Sequence, residues 1–107
     1  MAHSLEISEQ DFQKKLSQAQ LPIMADFYAN WCAPCQTLEP TLEDIAKKYE
    51  GKIDVVKIDI DKSPNLVTLF SIMSVPTILF FKGTKVVDQS TGLVDKEEIE
   101  KKLEKLI

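Results

Sequence analysis

The chain predicts an α/β fold, a mixed β-sheet covered by helices on both faces. Three observations carry that prediction. Short apolar runs at residues 23–28, 53–60 and 77–81 alternate with segments whose apolar residues recur at helical spacing. A tight turn, Lys82-Gly83-Thr84, joins the third run to a fourth at 86–90, so these two strands form an antiparallel hairpin. No linker, repeat or low-complexity stretch divides the 107 residues, which predicts one domain over 1–107. A chain of that length buries roughly two-thirds of its unfolded surface.

After a short extended start, Ser8 is placed to cap a helix, with Asp11 three residues on as a variant of the capping box. Phe12, Leu16 and Ala19 form its inward stripe. Leu21-Pro22 ends it, and residues 23–28 follow as a buried strand. Leu38, Leu42, Ile45, Ala46 and Tyr49 then mark a helix that opens at the cysteines and runs to about Glu50. Gly51 suits its C-terminal cap, and Pro40 within it predicts a bend. The β-branched run at 53–60 is the next buried strand. Ser63-Pro64 opens a short helix carrying Leu66, Leu69 and Phe70, and the hairpin comes after it. Asp95 with Glu98 predicts a capping box on a last helix whose apolar face is Ile99, Leu103 and Leu106. The order is therefore β-α-β-α-β-α-β-β-α.

A formal net charge of −4 with no cluster of Lys or Arg argues against nucleic acid or anionic membrane as partners. No apolar run approaches transmembrane length, and the start shows no basic segment followed by an apolar one. A cytoplasmic location is the expectation, although a trimmed secreted form would look the same.

Cys32 and Cys35 are the only cysteines. They form a dithiol that can close on itself and reopen, with Cys32 near a helix N-terminus where unpaired N–H groups favour a thiolate. A redox reaction is the leading reading. A zinc site needs about four ligands, and the only other sulfur or imidazole candidate is His3, read as an exposed bystander. A structural staple across so short a loop contributes only about 2 kcal/mol. A pair of inert buried thiols is the third competing reading.

Asp26 interrupts the apolar strand Ile23-Met24-Ala25-Asp26-Phe27-Tyr28, six residues before Cys32. Burial there raises a carboxylate's pKa. The residue reads equally as a general base for the deeper cysteine and as half of a structural ion pair. Lys57, in Val55-Val56-Lys57-Ile58, is the matching anomaly and Asp26 its obvious partner, unless its chain snorkels to the surface. In Val75-Pro76-Thr77 the proline cannot donate to a sheet ladder. X–Pro bonds are cis in only about 5–6% of cases, so sequence alone does not make this one cis. Trp31 is either core or a contact residue.

The run Asp26-Phe27-Tyr28-Ala29-Asn30-Trp31-Cys32-Ala33-Pro34-Cys35 resembles the thioredoxin family, close to the bacterial type, as a WCAPC active-site variant. Pro40, Lys57 before Asp59-Ile60-Asp61, Val75-Pro76-Thr77 and Gly92 match in order and spacing from about residue 5 to the end. The resemblance implies the thioredoxin fold: a central mixed sheet of four to five strands flanked by four helices. It also implies a protein-disulfide reductase and electron carrier.

In that scheme Cys32 is the exposed nucleophile and the more buried Cys35 resolves the mixed disulfide. Asp26 accepts the Cys35 proton, directly or through water, and Lys57 tunes it. Pro76 is cis and faces the dithiol, leaving the Val75 backbone to pair with substrate. Trp31, Ala33, Pro34, Val75, Gly92 and Leu93 form the apolar docking surface. No bound cofactor or metal is implied. Electrons are expected from NADPH through a flavoprotein thioredoxin reductase, and pass to disulfide-containing clients such as ribonucleotide reductase, peroxiredoxin and methionine sulfoxide reductase. A monomer is expected.

Four positions depart from the family's commonest pattern. Ala33 and Ser74 stand where glycine is usual, Gln36 where a basic residue is, and Tyr28 where a tryptophan is. They bear on partner choice. Two alternatives therefore stay open: a specialised form serving one client system, and a redox-independent scaffold.

Overall fold

The computed structural model describes residues 5–107. Its elements are α1 (Glu9–Gln18), β1 (Ile23–Tyr28), α2 (Ala33–Lys48), β2 (Asp54–Asp59), α3 (Pro64–Leu69), β3 (Thr77–Lys82), β4 (Lys85–Thr91) and α4 (Lys96–Glu104). The strands form one sheet in the order β2-β1-β3-β4. β1 pairs with β2 in parallel and with β3 antiparallel, and β3 with β4 antiparallel, so the sheet is mixed.

Among the described residues, the extended start contributes no full strand. It makes a single parallel bridge from Glu6 to Lys57. The Ile7 N–H donates to the Lys57 carbonyl at 2.9 Å, and the Lys57 N–H to the Leu5 carbonyl at 2.8 Å. The outer edge of β2 is thereby partly covered. His3 lies outside the described residues.

β1 is buried at all six positions, Asp26 included, as the apolar residues on both sides of that carboxylate require of a strand covered on both faces. Its side chains alternate between two cores. Met24 packs with Leu38, Leu42 and Ile45 of α2 and with Ile99 and Leu103 of α4. Ile23, Ala25 and Phe27 pack with Phe12 of α1 and Leu66 of α3. Tyr28 shares the α2 side with the two cysteines. Asp26, between Met24 and Tyr28, therefore points toward α2.

The ends of the helices partly follow expectation. The Ser8 Oγ accepts the Asp11 N–H at 3.1 Å, and α2 continues through Pro40 to Lys48. The chain turns at Gly51, whose φ of +83° suits glycine. The capping box expected at Asp95 does not form. Its side chain makes no cap bond, and its main-chain carbonyl instead accepts from the Glu98 and Ile99 N–H groups. Of the three apolar residues on α3 and its end, Leu69 is 64% exposed. A helix of only six residues turns Leu66 and Phe70 to the core and leaves Leu69 outside.

Candidate active site

β1 delivers the chain through Ala29, Asn30 and Trp31 to Cys32, the N-cap of α2. The Cys32 sulfur accepts the Cys35 N–H at 3.2 Å. A side-chain acceptor at this position satisfies one of the helix's orphan donors, and the same donor and the helix dipole favour negative charge on sulfur. Cys32 and Cys35 are joined as a disulfide, with Cα atoms 5.3 Å apart. Pro34 sits in the first turn, where no N–H is needed. Cys32 was expected to be the exposed sulfur. In a cluster with Tyr28, Ala29 and Cys35 that Val75 and Ile60 pack against, it is 6% exposed, scarcely more open than Cys35 at 4%.

The loop before β3 faces this pair. The Val75–Pro76 peptide is cis, and the Val75 carbonyl oxygen lies 3.8 Å from the Cys32 sulfur. Hydrogen bonds fix the loop on either side. The Thr77 hydroxyl donates to the Ser74 carbonyl at 2.7 Å. The Gly92 N–H donates to the Pro76 carbonyl at 2.8 Å, with Gly92 at φ +83°. Pro76 itself is buried and Val75 half-buried, while Leu93, Ala33 and Pro34 are exposed.

Trp31 is a surface residue, 69% exposed. Its indole N–H donates to Asp61 Oδ2 at 3.0 Å. Asp59 is buried, and it accepts from Asn30 Nδ2 at 3.3 Å and from the Asp61 N–H at 2.9 Å. Gln36 Nε2 donates to the Asn30 carbonyl at 2.9 Å. Asn30, Asp59 and Asp61 thus hold the loop that carries Trp31. Sequence reasoning assigned them no role, because the bonds join β1 to the end of β2 across about thirty residues. The polar run Asp59-Ile60-Asp61 after a buried strand was the available signal.

Asp26 is completely buried, and neither of its carboxylate oxygens has a hydrogen-bond partner among the described residues. Burial pushes its pKa up to about 7, against the pull of the Lys57 charge and with help from Glu39. Asp26 and Lys57 face each other in register across β1 and β2. The expected Asp26–Lys57 ion pair nevertheless does not form. The Lys57 ammonium lies 3.1 Å from Glu39 Oε1 on α2 and 4.4 Å from the centre of the Tyr28 ring. Nor does Lys57 snorkel, since its side chain is only 13% exposed. The reach of a four-carbon stem beneath α2 brings Glu39 within bonding distance, and its carboxylate is already partly solvated.

A surface hollow beside the Val75–Pro76 loop is lined by Ser74, Thr77 and Thr91 among others. Another of about 340 Å³, lined by Lys15, Gly51, Ile53 and Asp54 among others, opens toward the opposite end of β1 and β2. Among the described residues, no three His, Cys, Asp or Glu side chains gather as a metal site requires. No helix among them is long and apolar enough to cross a membrane.

Two sulfurs three residues apart at a helix start, on a mixed sheet flanked by helices, define the class of thiol–disulfide oxidoreductases. Comparison with known proteins narrows this. The family model described as thioredoxin matches residues 3–105. The chain is 36% identical over 107 residues to a thioredoxin of Synechocystis sp., covering 100% of both chains. It is 36% identical over 105 residues to thioredoxin 1 of Nostoc sp., covering 98% of each. It is 41% identical over 102 residues to thioredoxin 2 of Chlorobaculum tepidum, covering 95% of this chain and 94% of that one. The chain belongs to the thioredoxin family, and Cys32–Cys35 is its redox pair. A reductase and client proteins follow at the level of the family.

Proposed function

We propose that the protein is a general reductant of protein disulfides, a single working domain with WCAPC as its active-site sequence. One observation supports it above the rest: the Cys32 sulfur sits at the α2 N-terminus, receiving the Cys35 N–H, within 3.8 Å of a carbonyl on the facing loop. In the reduced form the Cys32 thiolate attacks one sulfur of a client disulfide, forming a mixed disulfide and expelling the other sulfur as a thiolate. Asp26 takes the proton of Cys35. The Cys35 thiolate then attacks the Cys32 sulfur, breaking its bond to the client. The client leaves with two electrons gained, its two thiolates taking up the proton held by Asp26 and one from solvent, and the protein is left as the Cys32–Cys35 disulfide.

Lys57 tunes Asp26 by its charge. Trp31, Ala33, Pro34, Val75, Pro76, Gly92 and Leu93 receive an extended client segment, with Pro76 shaping the loop from below and Val75 offering its main chain. The protein works as a cytoplasmic monomer. It is recharged from NADPH by a flavoprotein thioredoxin reductase and serves clients of the ribonucleotide reductase, peroxiredoxin and methionine sulfoxide reductase kinds. With dithiothreitol present the protein accelerates insulin reduction, and Cys32→Ser abolishes that acceleration. No acceleration by the unaltered protein would contradict the reading.

A further inference from the structure

Lys57 and Asp26 are opposite charges on adjacent strands, in register and on the same buried side of the sheet. Two such groups normally find each other, because an unpaired buried carboxylate is costly. Here the ammonium is taken up by Glu39 at 3.1 Å and by the Tyr28 ring face at 4.4 Å, and Asp26 is left without a bonded partner. Glu39 lies on α2, four residues beyond Cys35 and so about one helical turn along the helix that carries the dithiol. Its side chain is 44% exposed, so it gains the lysine without the full cost of burial.

We propose that Glu39 is a positioning residue for the exchange reaction: by holding the Lys57 ammonium it keeps that cation from bonding Asp26. The inference rests on the base role proposed for Asp26. An Asp26 in direct contact with Lys57 would be a stabilised anion and a weak base. Diverting the cation leaves a carboxyl group that can accept a proton and return it near neutral pH.

The groups that face Asp26 come from three sides. Lys57 comes from β2 and Glu39 from α2. On β1 itself the phenol of Tyr28 lies beyond, where it interacts with Glu6 of the extended start and Asp59 of β2. β3 places the uncharged Ile78 opposite Asp26. Of these, only Lys57 has a mobile charge whose partner can be exchanged by altering a single half-exposed side chain.

The test is the carboxyl-carbon NMR titration of Asp26 in the oxidised protein, where the cysteines do not titrate. Glu39→Gln keeps the shape and removes the charge. It lowers the Asp26 midpoint by about one pH unit, a tenfold weaker hold on the proton. In a Lys57→Met background the same change moves the midpoint by no more than about a few tenths, since no cation remains to redirect. An unchanged midpoint in Glu39→Gln, or an equal fall in both backgrounds, overturns the proposal. The pH profile of mixed-disulfide resolution, read alongside, moves to lower pH with the midpoint. A titration that shifts while the rate profile stays fixed upholds the positioning by Glu39 and overturns the base role of Asp26.

Discussion

The two faces of the sheet are buried to the same degree and filled on opposite terms. Against α1 and α3 the packing is all hydrocarbon: Phe12, Ile23, Ala25, Phe27, Ile58, Leu66 and Phe81 close on one another. Phe12, Phe70 and Phe81 meet edge to face at centroid distances of 5.3–6.4 Å. Against α2 the same strands carry Asp26 and Lys57 beside a core of equal depth. The first face holds β1 in place by sheer contact, which lets the second carry a carboxylate that weakens the fold. Stability and chemistry are thus separated by the alternation of side chains along one strand.

Substitutions on the two faces should therefore fail in different ways. The largest effect is on activity alone: Cys32→Ser brings insulin reduction to background while far-UV circular dichroism stays unchanged. On the hydrocarbon face, Phe12→Ala costs about 3–5 kcal/mol in denaturant unfolding. The Phe12→Ala protein that remains folded reduces insulin at the normal rate. A normal unfolding midpoint for Phe12→Ala would show that the aromatic cluster does not carry the fold.

Asp26 lies between these extremes. Its pKa is raised from 3.8 to about 7 in the folded chain, so the folded state holds the proton more tightly than the unfolded one. The stability linked to it is complete below about pH 4 and is lost as pH rises toward 7. The loss amounts to at most roughly 4 kcal/mol. Asp26→Asn removes this loss, so the variant gains on the parent protein steadily between pH 4 and 8 in denaturant titrations. Parallel pH profiles for the two proteins would mean that Asp26 is not buried as a neutral acid. The smallest effect is at a helix end remote from the site: Ser8→Ala costs about 1 kcal/mol and leaves activity untouched.

What could be read from the sequence was what local pattern controls. The apolar run at 23–28, interrupted only by Asp26, required a strand buried on both sides, and the helical spacing from Leu38 to Tyr49 set the helix that carries the dithiol. Ser8 at a helix start was legible because its partner is three residues away. Contacts between distant segments were not. Glu9 accepts the N–H groups of Asn65 and Leu66 at the start of α3 and so does the work that Ser63 fails to do. Nothing near residue 63 announces that. Lys57 was recognised as a cation in need of a partner, but the choice between Asp26 and Glu39 depends on how α2 is rotated over the sheet. The cis bond before Pro76 and the surface position of Trp31 likewise depend on the loop arrangement that Gly92 and Asp61 hold in place.

The base role proposed for Asp26 is the chemistry assigned to the α2 face, and a single-turnover experiment tests it most directly. Reduced protein and reduced Asp26→Asn are mixed with a disulfide client near pH 7, and the formation and the resolution of the mixed disulfide are timed separately. If Asp26 accepts the Cys35 proton, resolution slows on the order of a hundredfold in the variant while the initial attack by Cys32 keeps its rate. Equal rates for both steps in the two proteins would contradict it.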